Sequence, residues 1–233
     1  MRIAGIGNSF VDYPGKIAMI IFIEGCNFNC YYCHNRAILR KNSSNVIYSP
    51  DMLITNLIRK KNFLDGVVIS GGEPTISEKL PDFIKRIKDE TGLAVKLDTN
   101  GTNPDMIKDL IKRNLINYIA MDIKASKDKY NKVCLCKVDL DAIQKSIDII
   151  LKGKIDYEFR TTFSPDLTTE DIAQIGEWID GAKLYALQQY RVPPKDMYFN
   201  DTRLNLLPHA EDYINTTLET VRKHFASVVV RGL

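Results

Sequence analysis

The hydrophobic pattern of this chain alternates between short apolar runs and longer amphipathic segments. The apolar runs are rich in β-branched residues, which is typical of buried strands. They cover residues 18–24, 66–70, 94–98, 118–122, 156–162 and 184–189. The segments between them have the spacing of helices with one buried face. They cover residues 51–61, 77–90, 140–151, 169–179 and 209–225, with a further helix opened by Asn103 and Pro104.

Strands that alternate with helices predict parallel βαβ units, and about six such units fit in the 233 residues. An open parallel sheet and a partial barrel both satisfy this pattern. In either architecture a ligand binds at the carboxyl ends of the strands. We predict one domain over residues 1–233, in which residues 192–233 form a C-terminal extension of helix and strand.

The composition is that of an ordinary soluble globular protein, with 45% hydrophobic and 26% charged residues. The net charge of +3 is small and no block of like charge occurs, so we expect no nucleic-acid partner. The longest apolar run, residues 17–23, is too short to cross a bilayer, and the first residues do not resemble a signal peptide. These features predict a cytoplasmic protein with no membrane partner.

Three of the five cysteines, Cys26, Cys30 and Cys33, are separated by three and then two residues. An odd, clustered count is a poor disulfide framework and is typical of metal ligands in a reducing compartment. A zinc site normally has four protein ligands, and a cubane iron–sulfur cluster commonly has a cysteine on each iron. Three cysteines without a nearby fourth would leave one iron open to a substrate or cofactor.

A structural zinc site is the alternative, with His34 as the fourth ligand, although the adjacent side chains of Cys33 and His34 point in different directions. Such a site would belong to a zinc-stabilised binding module rather than an enzyme. Cys134 and Cys136 are too close in sequence to chelate one tetrahedral ion together, and we expect both to be inert core or loop residues.

Polar and glycine-rich residues follow the predicted strands at their carboxyl ends. The candidates are Gly71, Gly72, Glu73, Asp98, Asp122, Ile123, Lys124, Arg160 and Arg191. Each motif alone has an ordinary alternative, namely a strand-to-helix turn, an Asn-Gly turn or an ion pair. Their common position at one rim of the sheet favours a shared pocket.

The cysteine triad, with Tyr32 directly before its last cysteine, resembles the CxxxCxxC signature of the radical S-adenosylmethionine (SAM) superfamily. The resemblance implies a partial (β/α)6 barrel, one 4Fe–4S cluster held by Cys26, Cys30 and Cys33, and SAM chelated to the open iron. One electron from the cluster would cleave SAM and yield a 5′-deoxyadenosyl radical. Tyr32, Cys33 and His34 would then contact SAM.

Residues 71–73, Gly-Gly-Glu, resemble the GGE motif of the same superfamily, which contacts the methionyl amino group of SAM. Arg191 stands roughly where the pyruvate formate-lyase activating enzyme has a histidine near the adenosine part of SAM. These two likenesses imply a SAM site that extends along the rim from the second strand to the sixth.

The segments that hold Asp98, Asp122 and Lys124 resemble those of the glycyl-radical-enzyme activases, in which two aspartates and a lysine lie close to SAM. Carried over, these residues and Ile123 would meet the amino-acid part of SAM. Lys124 and Arg160 would supply positive charge near its carboxylate, which charge-assisted hydrogen bonding favours.

Residues 9–16, Ser-Phe-Val-Asp-Tyr-Pro-Gly-Lys, and the Cys33-His34-Asn35 segment closely resemble the anaerobic ribonucleoside-triphosphate reductase activating proteins. The resemblance implies an activase that forms a glycyl radical on a partner, an anaerobic ribonucleotide reductase or another glycyl radical enzyme. An electron donor such as flavodoxin or ferredoxin would reduce the cluster. The alternative within the superfamily is an enzyme that acts on a small molecule or a modified nucleobase.

Overall fold

The computed structural model describes residues 1–39, 48–193 and 201–233 of the chain. The strands within these residues are β1 (Ile3–Ser9), β2 (Ala18–Ile23), β3 (Gly66–Gly71), β4 (Ala94–Thr99), β5 (Tyr118–Asp122), β6 (Asp156–Phe163), β7 (Ala182–Gln189) and β8 (Phe225–Arg231). The helices are α1 (Pro50–Lys60), α2 (Leu80–Thr91), α3 (Pro104–Lys112), α4 (Tyr130–Cys134), α5 (Leu140–Lys152), α6 (Thr169–Trp178) and α7 (Glu211–Val221).

The strands form one sheet in sequence order from β1 to β8. β1 pairs with β2 in antiparallel orientation, and each later pair of neighbours is parallel. The six strands predicted from the sequence are β2 to β7, and their ends lie within two residues of the prediction. The predicted α/β fold with a sheet of parallel strands is therefore confirmed.

Two strands were not among the predicted ones. β1 contains Gly5, Gly7 and Asn8 and lies at the edge of the sheet, so it lacks the continuous apolar run of a central strand. β8 begins at Phe225, where the predicted helix over residues 209–225 was expected to end. That prediction is wrong at its boundaries, because α7 ends at Val221 and the β-branched residues that follow pair with β7.

The helices α1, α3, α5 and α6 begin where a side chain accepts a free N–H group of the first turn. The Ser49 side chain accepts from the backbone N–H of Asp51 at the start of α1. Thr168 and Asp171 form a capping box at the start of α6. Each helix then buries one apolar face, so the helices fix the outer side of the sheet and leave its strand ends free for a site.

The inner side of the sheet carries polar side chains on β3 to β8, beside Ile20 and Phe22 of β2. Residues from all eight strands, or from the loops that follow them, line one cavity, so the sheet curves into a partial barrel around it. Among the described helices, none combines the length and the apolar character needed to cross a membrane.

Candidate functional site

The cavity has a volume of about 940 Å³ and opens at the carboxyl ends of the parallel strands. Most of the predicted site residues line it: Cys26, Cys30, Tyr32, Cys33, His34, Gly71, Gly72, Glu73, Asp98, Asp122, Lys124, Arg160 and Arg191. Ile123 is the exception, because its side chain is fully buried in the core. The topology therefore brings residues from distant parts of the sequence to one place.

The cysteine loop, residues 25–35, is anchored by backbone hydrogen bonds on two sides. The N–H of Cys26 donates to the carbonyl of Leu39 at 2.9 Å. On the other side, the N–H of Asn29 donates to the carbonyl of Cys134 at 3.0 Å, at the end of α4. A turn closed by the N–H of Cys33 and the carbonyl of Cys30, at 3.1 Å, brings these two cysteines to the same side of the loop.

The three thiols have different acidities because their surroundings differ. Burial raises the pKa of Cys26 to about 12, and burial also raises the pKa of Cys33. Cys30 has its pKa lowered to about 7, chiefly because the thiol of Cys134 forms a hydrogen bond with its sulfur. Buried thiols such as those of Cys26 and Cys33 stay protonated at neutral pH unless a cation compensates the charge of the thiolate.

Among residues 1–39, 48–193 and 201–233, no three His, Cys, Asp or Glu side chains lie close enough together to hold a single metal ion. A zinc site made by the three cysteines and His34 would need such a group. The ring of His34 instead forms a 2.9 Å hydrogen bond between its Nε2 and the carbonyl oxygen of Arg191. A 4Fe–4S cluster places each cysteine on a different iron, so three cysteines that line one cavity suit such a cluster.

The two glycines at the end of β3, Gly71 and Gly72, are required by the close approach of the cysteine loop. A Cβ atom on Gly72 would lie 2.0 Å from the carbonyl oxygen of Gly25, the residue before Cys26. Gly71 has a φ of +111°, which favours glycine. The glycines therefore let β3 and the loop that carries Cys26 pack backbone against backbone.

The carboxylate of Glu73 is buried and accepts hydrogen bonds from neighbouring residues of the protein. It accepts hydrogen bonds from the N–H and hydroxyl of Thr75 at 3.1 and 2.5 Å, from the hydroxyl of Thr99 at 2.7 Å and from the N–H of Asn100 at 2.6 Å. Burial raises the pKa of Glu73, and these hydrogen bonds oppose that shift. The side chain thus ties the end of β3 to the end of β4.

The predicted charged residues form a continuous series of ion pairs, the charged chain, across the inner face of β4, β5 and β6. Lys96 contacts Asp98 at 2.5 Å, and the Arg160 guanidinium lies 3.5 Å from Asp98 and 2.8 Å from Asp122. Lys124 contacts the other oxygen of Asp122 at 2.9 Å. Lys96, which the sequence analysis did not single out, is fully buried and completes the chain.

Asp98 and Asp122, the two aspartates of the charged chain, are ionised at neutral pH. Burial alone would raise the pKa of Asp122, but Arg160 and Lys124 outweigh it and hold that pKa below its usual value. Arg160 and Lys96 do the same for Asp98. Asp98 and Asp122 are thereby compensated, and the N–H groups of Lys124 and Arg160, which line the cavity, can meet an anionic group of a ligand.

A further ion pair, between a buried carboxylate and a partly exposed arginine, lies on the same face. Arg231 of β8 donates to both oxygens of Glu158 at 2.9 and 2.6 Å, and Glu158 is fully buried. The sequence analysis singled out neither residue, because β8 was not among the predicted strands and Glu158 lies inside an apolar strand. A charged residue in the middle of a predicted buried strand was the signal that could have found Glu158.

Two polar atoms at the cavity have no hydrogen-bond partner among the described residues: the hydroxyl of Tyr32 and the side-chain carbonyl of Gln189. Unpaired buried polar groups are costly, and a polar ligand would satisfy them. The thiols, the orphaned polar atoms and the N–H groups of Lys124 and Arg160 therefore fit an iron–sulfur cluster together with SAM, which carries a carboxylate, an amino group and a nucleoside.

Cys134 has a position that the sequence did not reveal. It is buried, as expected for a core residue, but its thiol forms a hydrogen bond with the sulfur of Cys30. The contact arises because α4, a helix of five residues absent from the predictions, packs against the cysteine loop.

The comparisons with known proteins show the family and the fold of this chain. Residues 20–179 match the model of the radical SAM superfamily. A protein of Methanocaldococcus jannaschii that is named as a glycyl-radical enzyme activating enzyme is 36% identical over 232 residues, which cover 97% of this chain and 93% of that protein. The pyruvate formate-lyase 1-activating enzyme of Escherichia coli is 30% identical over 52% of this chain and 51% of its own length. The crystal structure of QueE from Escherichia coli covers all of this chain and 94% of its own, with a TM-score of 0.53 and 19% identity, and shows the fold alone.

Proposed function

This chain belongs to the radical SAM superfamily, within the family of the glycyl-radical enzyme activating enzymes, and we propose that it forms a glycyl radical on a partner enzyme. Members of this superfamily use a 4Fe–4S cluster and SAM. The observation that carries the proposal is the meeting of the cysteine loop, the Gly-Gly-Glu turn and the charged chain in one cavity at the strand ends.

The cysteines would hold the cluster from one side of this cavity. When bound, the cluster supplies one electron that cleaves SAM to methionine and a 5′-deoxyadenosyl radical, which then removes a hydrogen atom from a glycine Cα. Cys26, Cys30 and Cys33 would each hold one iron and would leave the fourth open. Because burial keeps the thiols of Cys26 and Cys33 protonated, cluster uptake would release protons.

The charged chain would orient SAM. Lys124 and Arg160 are held rigidly by Asp122, so their N–H groups would meet the SAM carboxylate without reorganisation. The backbone carbonyls of Gly71 and Gly72 would accept from its amino group. Arg191 and His34, joined by their hydrogen bond, would lie toward the nucleoside.

A protein substrate is supported by the surface beside the cavity. Val11 and Asp12, in the loop between β1 and β2, reach the cavity wall, and Val11 and its neighbour Phe10 are 81% and 75% exposed. This loop is the segment that resembles the ribonucleotide reductase activating proteins. We therefore propose anaerobic ribonucleotide reductase as the partner, with flavodoxin or ferredoxin as the electron donor.

The experiment is anaerobic reconstitution of the protein with iron and sulfide, followed by SAM and a chemical reductant, with and without a candidate partner. We expect an electron paramagnetic resonance (EPR) signal of a glycyl radical only when all components are present. Cys33→Ala should abolish the signal, whereas Cys136→Ala should leave it intact, which makes a matched control for the loss of one cysteine.

The partner is tested in the same assay with an anaerobic ribonucleotide reductase and a pyruvate formate-lyase side by side. A radical on the second protein only would reject the proposed partner and keep the activase. SAM-dependent conversion of a small molecule without any partner would instead support the alternative substrate class. A colourless protein that holds zinc and no iron would reject both.

A further inference from the structure

A cluster of polar side chains holds the cysteine loop from outside the cavity. Arg203 lies in a short 3₁₀ turn, Thr202–Asn205, and its side chain is 16% exposed. Its guanidinium carbon lies 3.9 Å from the centre of the Tyr31 ring. Tyr31 stands directly between Cys30 and Tyr32 and is 1% exposed. Neither Arg203 nor Tyr31 is among the described residues that line the cavity, so the function proposed above leaves this contact unexplained.

The guanidinium of Arg203 is fixed in its plane by three separate segments. It donates to both oxygens of Asp201 at 2.9 and 2.6 Å. It also donates to Asp166, in the loop after β6, at 3.2 Å, and to the carbonyl of Lys132 in α4 at 3.0 Å. A planar group held in this way presents a rigid face to the aromatic ring that lies against it.

Tyr31 is fixed through the same carboxylate. Its hydroxyl donates to Asp166 at 2.6 Å, and the hydroxyl of Ser164 donates to the same oxygen at 2.8 Å. The backbone N–H of Tyr31 lies 3.4 Å from the carbonyl of Val133 in α4. Asp166 thus joins the cation and the ring, and loss of Arg203 would leave a mostly buried carboxylate without its cation.

We propose that Arg203 is a positioning residue for the iron–sulfur cluster, which acts by clamping Tyr31 so that Cys30 and Cys33 keep a fixed separation. The inference rests on the proposed function in one respect, namely that Cys26, Cys30 and Cys33 hold the cluster. Residues that support metal ligands typically change metal affinity by about 10- to 100-fold when they are replaced. A rigid loop also loses less conformational freedom when the cluster binds.

The test is the rate at which the reconstituted protein loses its cluster to an excess of an iron chelator under anaerobic conditions. The visible absorbance of the cluster reports the loss and needs neither SAM nor a partner. Arg203→Ala should lose the cluster about 10-fold faster than the wild type. Arg203→Lys should lose the cluster about as fast as Arg203→Ala, because an ammonium group cannot stack on the ring and bind two carboxylates in one plane.

Arg222→Ala is the matched control. Arg222 also donates to both oxygens of a carboxylate, that of Glu219 at 3.0 and 2.7 Å, but this pair is exposed and does not contact the cysteine loop. Its cluster should decay as in the wild type. The EPR spectrum of the reduced cluster should broaden in Arg203→Ala and not in Arg222→Ala, since a loose loop allows several cluster geometries.

Rates are compared at a temperature at which all metal-free variants remain folded, so that global stability does not enter. If Arg203→Ala does not fold, Arg203→Lys, which keeps the charge, decides the question. Loss of the cluster at a rate within twofold of the wild type in the folded Arg203 variants, or an equally fast loss in Arg222→Ala, would overturn the positioning role of Arg203 alone. A wild-type protein that takes up no cluster would overturn the proposed function and the positioning role with it.

Discussion

Replacement of Gly72 by alanine would place a methyl group where the backbone of the cysteine loop already lies. The added carbon would stand 2.0 Å from the carbonyl oxygen and 2.6 Å from the carbonyl carbon of Gly25. Real Cβ atoms do not approach other heavy atoms so closely, and the obstacle is backbone rather than a flexible side chain. The end of β3 and the start of the cysteine loop must therefore separate.

The cost of this separation follows from the contacts it disturbs. The N–H of Gly72 donates to Ile23 and the N–H of Glu73 donates to Gly25, both at 2.8 Å. Each such bond contributes about 1 kcal/mol, and the residual overlap adds about 1 kcal/mol or more. We expect a loss of about 3 kcal/mol in the free energy of unfolding. For a chain of 233 residues this corresponds to a fall of roughly 6–12 °C in the melting temperature.

Urea unfolding of the metal-free protein measures the loss, and iron content after reconstitution measures its effect on the cysteines. Gly7→Ala is the matched control, because its Cβ would lie 3.9 Å from the Phe22 ring, an ordinary contact. That change should be neutral or stabilising by up to about 1 kcal/mol. A Gly72→Ala protein that unfolds at the same urea concentration as Gly7→Ala and binds a full complement of iron would refute the reasoning.

Three further predictions concern the charged chain and the thiols. Arg231→Met should lower the free energy of unfolding by about 2–3 kcal/mol, because the buried carboxylate of Glu158 loses its bidentate partner, which is itself partly exposed. The double variant Arg231→Met, Glu158→Gln should recover most of the lost stability, as measured by urea unfolding. The pKa of Asp122 is lower in the folded state than its usual value of 3.8, so its contribution to stability is present above about pH 3.8 and is lost as the pH falls below it. Asp122→Asn should therefore be less stable at pH 7, and its melting temperature should fall less than that of the wild type on acidification. A melting temperature that falls as steeply with pH as that of the wild type would contradict this. Cys134→Ala should lower the reduction potential of the cluster in an EPR-monitored titration, because the hydrogen bond to the sulfur of Cys30 stabilises added negative charge, and an unchanged potential would argue against that contact in the loaded protein.

The sequence by itself determined the central architecture and the chemical centre of the proposed site. Six parallel strands could be predicted because each is a local apolar run, and parallel strands that are buried on both faces need such runs. The cysteine triad could be predicted because its three members lie within eight residues, so that one loop carries them. The strand-end rule then indicated which polar residues share a rim.

Only the tertiary structure decided the contacts between residues that are far apart in the sequence. Glu73 was predicted within a motif that meets SAM, and the structure shows in addition that its carboxylate accepts hydrogen bonds from Thr99 and Asn100 at the neighbouring strand end. The contact of Ile123 with SAM stays a prediction, and the structure adds that the Ile123 side chain lies in the core. Each outcome depends on which way a side chain points after the sheet has formed, and periodicity alone does not specify this at a strand end.

The same limit explains the residues that the sequence did not reveal. Arg231 and Glu158 are 73 positions apart, and Arg203 reaches Asp166 across 37 positions. A charged residue on a strand or turn has many conceivable partners, and only the order and curvature of the sheet select one of them. The sequence thus indicated the chemistry expected of the loop of Cys26, Cys30 and Cys33, whereas only the tertiary structure shows that α4 and the Arg203 turn pack against that loop.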